Sequence, residues 1–189
     1  PLIYSNLIEY TKNRQYTWNE LRNIPSNEVI NSLGISKLDL PKLILQIRKD
    51  FKSKLSQQPL AAGIKEALIE LRERGFELHV VSSNSKENIV LSLDLHGLGE
   101  AFASITSFFT IFGKALGIEK LLKDLGCSHS EAIYIGDETR DIQAAQKVGM
   151  KNLAVCWGYN SEKALITYKP DYLAKTPKEL VSILCKECG

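Results

Sequence analysis

The sequence predicts an α/β fold, with a parallel sheet covered by helices on both faces and an all-helical lobe ahead of it. Three observations predict this. From residue 77 onward, short apolar runs alternate with segments of helical periodicity, the pattern of strand–helix–strand units. The runs are continuously apolar, as strands buried on both faces require. Before Pro59 the apolar residues recur only at helical spacing, and no β-branched alternation appears.

In the first part, Leu2, Ile3, Leu7 and Ile8 have helical spacing, and Thr17 and Ser26 stand where N-caps belong. Over 38–55, Leu43, Ile44, Ile47 and Phe51 share one face opposite Lys and Arg, with Pro41 in the first turn. The texture changes after Pro59, which sets a domain boundary near residue 58: a helical lobe over 1–58 and an α/β domain over 59–189. A helix over 64–74 ends at Gly75. A strand over 78–81 runs into Ser82-Ser83-Asn84-Ser85, followed by a helix over 86–96 and a short strand over 103–106. A helix over 114–125 ends at Gly126. A strand over 132–135 leads through Gly136-Asp137 into a helix over 139–148. Strands over 153–156 and 172–174 flank a short helix. In the last helix Thr176 caps, Pro177 opens and Glu179 reaches back in a capping box.

Composition excludes several classes. Hydrophobic residues make up 44% and charged residues 24% of 189, ordinary globular usage. The 24 basic and 22 acidic residues leave a net charge of +2, too balanced for a nucleic-acid or membrane-surface partner. The basic run RKDFKSK (48–54) reads as a solvated helix face. No stretch approaches a membrane span, and no signal peptide is visible. Cys127 and Cys156 stand alone. Cys185 and Cys188 form a CxxC at the end of the chain without two further zinc ligands at matched spacing. All four read as reduced thiols of a cytosolic protein. The first residue is Pro1 rather than Met, so an upstream segment is expected.

Open parallel sheets bind ligands beyond the carboxyl ends of their strands. Beyond the first strand lie Ser82, Ser83 and Asn84 at the start of a helix. Their hydroxyls and the free helix N–H groups suit a phosphate, although a serine there is also an ordinary N-cap. Beyond the strand over 132–135 lies GDETRD, with Asp137 and Asp141 four apart. Two carboxylates so placed suit a shared Mg2+, although acids are also favoured at any helix start. Lys114 opens a helix, where the dipole does not favour a cation. It suits a phosphate and a carboxylate together, or is a surface lysine.

Taken in order, these segments resemble the haloacid dehalogenase superfamily of aspartate-nucleophile phosphatases, in particular its phosphoglycolate phosphatase-like branch with a helical cap. GFELHVVSSNSKENI resembles the second family motif, FGKALGIEKLLKDLG the third and AIYIGDETRDIQAAQKVGM the fourth. The tail AVCWGYNSEKAL…KPDYLAKTPKEL is also similar. The resemblance implies a Rossmann-like core with a small helical cap. It also implies a Mg2+-dependent phosphatase of small phosphorylated metabolites that works through an aspartyl-phosphate. Carried over, Asp137 is the metal ligand and Asp141 the acid supporting the metal site. Lys114 holds phosphate and nucleophile, and Ser82, or Ser83 after a one-residue slip, supplies the second-motif hydroxyl beside Asn84.

The first family motif, DxDxT, is absent from the sequence. The resemblance places it on a central strand between the strand ending at Ser82 and the strand ending at Gly136. Without that strand, buried backbone groups lose partners at about 1–3 kcal/mol each. The expectation is therefore an upstream apolar strand ending in DxDxT. Without one, the expectation is no fold, or a rearranged sheet and no phosphatase activity. A non-catalytic phosphate- or protein-binding relative is the competing reading, favoured by the missing motif and opposed by the retained Lys114 and Asp137. A 2-haloacid dehalogenase needs no metal, so the paired aspartates speak against it. Tyr4, Tyr16, Trp18 and Arg48 are lobe residues with chemistry suited to substrate selection.

Overall fold

In the computed structural model the described residues are 16–36, 38, 39, 41–43, 45, 46, 59–108 and 113–187. The readings at Leu2–Ile8, Ile44, Ile47, Phe51 and Cys188 lie outside them. Two short helices come first, α1 (Trp18–Asn23) and α2 (Val29–Ser32). Thr17 caps α1 as predicted. Its hydroxyl accepts from the Glu20 N–H at 3.3 Å, and the Glu20 carboxylate accepts from the Thr17 N–H at 2.7 Å. Ser26 does not cap α2, whose N-cap is Glu28. The Ser26 hydroxyl donates instead to Asn160 Oδ1. Leu21, Val29, Leu33, Ile35 and Leu43 form the lobe's own buried core.

The remaining elements are α3 (Ile64–Glu73), β1 (His79–Ser82), α4 (Lys86–Leu95), β2 (Ser104–Ser107), α5 (Lys114–Leu125) and β3 (Ile133–Gly136). After these come α6 (Thr139–Lys147), β4 (Lys151–Val155), α7 (Glu162–Thr167), β5 (Tyr172–Ala174) and α8 (Pro177–Glu187). Every predicted strand and helix from residue 59 on is present, with ends shifted by at most two residues. Strand β1 runs one residue further than expected, so Ser82 closes the strand. Gly126, at φ 65°, ends α5 in the left-handed conformation. The expected box at α8 is half formed. Thr176 accepts from the Glu179 N–H, but the Glu179 carboxylate reaches one residue further back, to the Lys175 N–H at 2.8 Å.

All strand pairs are parallel. β1 pairs with β2, with His79 opposite Ser104 and Ser82 opposite Ser107. β4 is flanked by β3 and β5. Side chains of β4 alternate between two cores. Leu153 and Val155 join Ala67 and Leu71 of α3 and Leu180, Val181 and Leu184 of α8. Ala154 joins Ile142 of α6 and Leu165 of α7. Helices therefore cover both faces, and each fully buried leucine contributes about 1.5–3 kcal/mol.

The sheet departs from a single continuous ladder. Among the described residues it forms two sheets, β1–β2 and β3–β4–β5. Both β1 and β3 line a cleft of about 790 Å³, through Val80, Val81, Ile133, Tyr134 and Ile135, with Leu71, Ile118, Leu122 and Leu184 on the flanking helices. Ile135 is 38% exposed, unlike a residue in the middle of a closed sheet. No described helix is long and apolar enough to cross a membrane.

Candidate active site

The fold brings Lys114, Asp137 and Asp141 together. β3 ends at Gly136, and the chain turns through Asp137 and Glu138 into α6. A Cβ on Gly136 would run into the Asp141 side chain, so the close approach requires glycine. Asp141, in the first turn of α6, is 3% exposed. Its Oδ2 accepts from the N–H groups of Asp137 (3.1 Å) and Glu138 (3.0 Å). Its Oδ1 pairs with the ammonium of Lys114, the first residue of α5. Burial pushes the Asp141 carboxyl up, and the Lys114 charge opposes it.

Asp137 is arranged differently. Its Oδ2 accepts from the Tyr159 N–H at 2.6 Å, and its backbone carbonyl accepts from the Asn160 N–H at 3.0 Å. A Cβ on Gly158 would meet the Asp137 side chain, so the loop after β4 lies directly against it. Among the described residues, Oδ1 of Asp137 accepts no hydrogen bond. Burial pushes this carboxyl up to about 6, helped by the charges of Glu138 and Asp141 and opposed by the Tyr159 N–H and Lys114. Glu138 pairs with Arg140. Burial pushes Glu138 up, but the Arg140 and Lys114 charges outweigh it and hold the carboxyl below its usual value.

The serine loop organises itself. Ser82 Oγ accepts from the Asn84 N–H at 3.1 Å. Asn84 Oδ1 accepts from the Ser85 N–H (2.9 Å) and from the Asn88 amide (3.2 Å), and the Asn84 carbonyl accepts from Ser107 Oγ. The N-cap of α4 is Ser85, whose Oγ accepts from the Asn88 N–H. Capping therefore does not account for Ser82, and Ser83 is the first residue beyond the strand. Of the lobe residues named from sequence, Trp18 packs edge-on against Tyr159 at 5.6 Å and Tyr16 lies against the lobe core. Tyr4 and Arg48 lie outside the described residues.

Sequence reasoning missed the third wall of the site, formed by Arg22, Ser26, Thr139, Tyr159 and Asn160. Asn160 is fully buried, and its Oδ1 accepts from the Thr139 N–H (3.0 Å) and from Ser26 Oγ (2.7 Å). A signal was present, because Gly158-Tyr159-Asn160 follows the end of β4, where ligands bind in parallel sheets.

The family model for haloacid dehalogenase-like hydrolases matches residues 3–155. The chain is 32% identical over 162 residues to a phosphoglycolate phosphatase of Synechococcus elongatus, covering 86% of this chain and 76% of that protein. It is 29% identical over 123 residues to the pyrophosphatase PpaX of Bacillus velezensis, covering 64% of this chain but only 57% of that protein. Among solved structures, a predicted phosphatase from Clostridium acetobutylicum superposes with a TM-score of 0.82 at 20% identity, over 98% of this chain and 89% of that one. The parallel α/β core, the Gly-Asp turn after β3 and the family match over most of the sequence place this chain in the haloacid dehalogenase-like hydrolase family.

Proposed function

We propose that this chain carries most of a Mg2+-assisted phosphatase for small phosphorylated metabolites, with 2-phosphoglycolate the first candidate. The observation that carries the reading is the division of labour between the two aspartates. Asp141 has both oxygens engaged, by Lys114 and by two backbone N–H groups. Among the described residues, the Asp137 carboxylate is held through Oδ2 alone. A hard cation that takes one or two carboxylates and completes its shell with water and phosphate oxygens fits this donor set. Asp137 would hold Mg2+ directly through Oδ1, and Asp141 would orient the turn and Lys114 around it. When bound, Mg2+ would supply charge neutralisation for the phosphoryl oxygens. Lys114, 13% exposed at the start of α5, adds a fixed positive charge facing the same turn. Ser82, Ser83 and Asn84, at the end of β1, would offer hydroxyl and amide donors to the substrate phosphate.

The cleft between β1 and β3 supports the rest of the reading. It has apolar walls and a strand on either side, each laddered only on its other edge among the described residues. An upstream apolar strand ending in the nucleophilic aspartate would fit there and form the aspartyl-phosphate. Residues 1–58 would act as the cap that selects the leaving group. A cytosolic setting suits the free thiols Cys127, Cys156 and Cys185.

The test is hydrolysis of p-nitrophenyl phosphate and 2-phosphoglycolate by this chain joined to an apolar strand ending in DxDxT, with Mg2+ or EDTA, beside Asp137→Asn. The expected result is turnover abolished by EDTA and at least about 100-fold lower in the variant. A folded protein that binds phosphate but turns over neither substrate with any metal would establish the binding-only relative. Halide release from 2-chloropropionate in EDTA would establish the dehalogenase.

A further inference from the structure

We propose that Arg22 and Asn160 are positioning residues that set the Asp137 carboxylate from the helical lobe, by fixing the loop whose Tyr159 N–H holds it. The inference rests on reading Asp137 as the functional carboxylate. The connection is continuous. From α1, the Arg22 guanidinium donates through Nε to the Tyr159 carbonyl (3.0 Å) and through Nη2 to the carbonyls of Cys156 (3.2 Å) and Gly158 (3.3 Å). One planar fork thus gathers the turn after β4 around itself. Asn160 answers from the loop. Its amide donates to the carbonyls of Arg22 and Ile24, both at 3.0 Å, and its Oδ1 accepts from Ser26 Oγ and the Thr139 N–H. All four bonds of this buried side chain are thereby made, two to lobe carbonyls, one to a lobe hydroxyl and one to the first residue of α6.

Between these two anchors stands Tyr159. Its ring lies against the lobe core and against Trp18, while its N–H donates to Asp137. The position of α1 is therefore transmitted through two residues of loop to the carboxylate. A generic lobe–core contact would be apolar and tolerant of sliding, whereas directional bonds to the carbonyls of Cys156, Gly158 and Tyr159 define one register. Outer partners that orient a metal-binding side chain commonly alter metal affinity by 10- to 100-fold when removed.

The experiment uses the full chain and begins without metal. Amide exchange would be followed at Tyr159, Asn160 and Leu153 in wild type, Arg22→Gln and Asn160→Ala, with Leu33→Ala as a lobe-core control that leaves the network intact. Arg22→Gln is the principal variant, because Arg22 is only partly buried and its loss spares the core. Exchange at Tyr159 and Asn160 should accelerate at least about tenfold in Arg22→Gln, while Leu153 in β4 stays protected. Mn2+ binding, read by electron paramagnetic resonance, should weaken about tenfold in the same variant and stay within about twofold of wild type in Leu33→Ala. Unchanged Tyr159 exchange in Arg22→Gln overturns the proposal. Equal acceleration in Leu33→Ala also overturns it, because lobe stability alone would then be the cause. If wild type binds no Mn2+, the proposed metal role of Asp137 fails, and the exchange data still decide whether Arg22 positions the carboxylate.

Discussion

A carboxyl held neutral by burial makes folding stability depend on pH, and Asp137 sets the window. In the unfolded chain it loses its proton near the usual 3.8, and in the folded protein near about 6. Between those values the native state binds more protons than the unfolded state. Stability from this group is therefore present below about pH 4 and is lost as pH rises toward 6. The difference is about 2 pH units, and at about 1.4 kcal/mol per unit the full loss is about 3 kcal/mol. Asp137→Asn removes the titration while keeping an oxygen that can accept from the Tyr159 N–H. Metal-free wild type, unfolded in urea from pH 4 to 7, should therefore lose up to about 3 kcal/mol more stability across this window than the variant. At pH 7 the variant should be the more stable protein, the stability–function trade expected of an active-site charge. Millimolar Mg2+ should restore stability to wild type but not to Asp137→Asn, in proportion to the logarithm of metal concentration. Parallel pH profiles for the two metal-free proteins would refute the argument that Asp137 is buried at a cost.

Two further perturbations test the other members of the site. Lys114→Met leaves the Asp141 carboxylate buried without its cation and should destabilise the fold by about 3–5 kcal/mol at neutral pH. The loss should shrink on acidification, as Asp141 takes up a proton, and a urea series at pH 4.5 and 7.5 would show it. Ser82→Ala removes one acceptor, for the Asn84 N–H, and should cost no more than about 1 kcal/mol. A fall in turnover of more than about tenfold, against so small a stability change, would mark the hydroxyl as a substrate contact. Unchanged turnover would remove it from the site.

Much of the fold was legible because its strands are continuous apolar runs and its helices end at glycines. The one-to-two-residue shifts have local causes that sequence does not display. β4 starts at Lys151 rather than Leu153, because Asp171 accepts from both donors of the buried Asn152, its N–H at 2.9 Å and its amide at 2.6 Å. A polar residue reads as a strand terminator until such a partner is known. Lys114, Asp137 and Asp141 were legible for a different reason. Charged side chains at the ends of apolar strands and the starts of helices are conspicuous. The Tyr159 donor is a backbone N–H, which every residue but proline carries, so nothing in its identity announces it. Arg22 and Asn160 meet across more than 130 positions of sequence and resemble surface residues until the loop after β4 folds over α1. The split between β1 and β3 lies where the family resemblance places the missing strand, whereas the alternation of elements alone does not specify strand order.

The charges around the turn after β3 explain why these separate features belong to one site. Lys114 answers Asp141, and Arg140 answers Glu138. Each is a close pair, and each carboxylate gains further backbone or hydroxyl partners. Among the described residues Asp137 receives one backbone N–H on its carboxylate and no cation of its own, and it is the carboxyl that burial pushes to about 6. The arrangement therefore carries one negative charge more than its own cations balance when Asp137 is ionised. A purely structural cluster would be expected to close that deficit, because an unmatched buried charge costs several kcal/mol. A site that receives a divalent cation together with a phosphate dianion has reason to keep it. A divalent cation would offset that surplus and, with Lys114, present positive charge to the incoming phosphate. On the proposed reading the unmatched Asp137 carboxylate would receive the metal, with the Tyr159 N–H on its Oδ2 and the Asn160 N–H on its backbone carbonyl fixing its position.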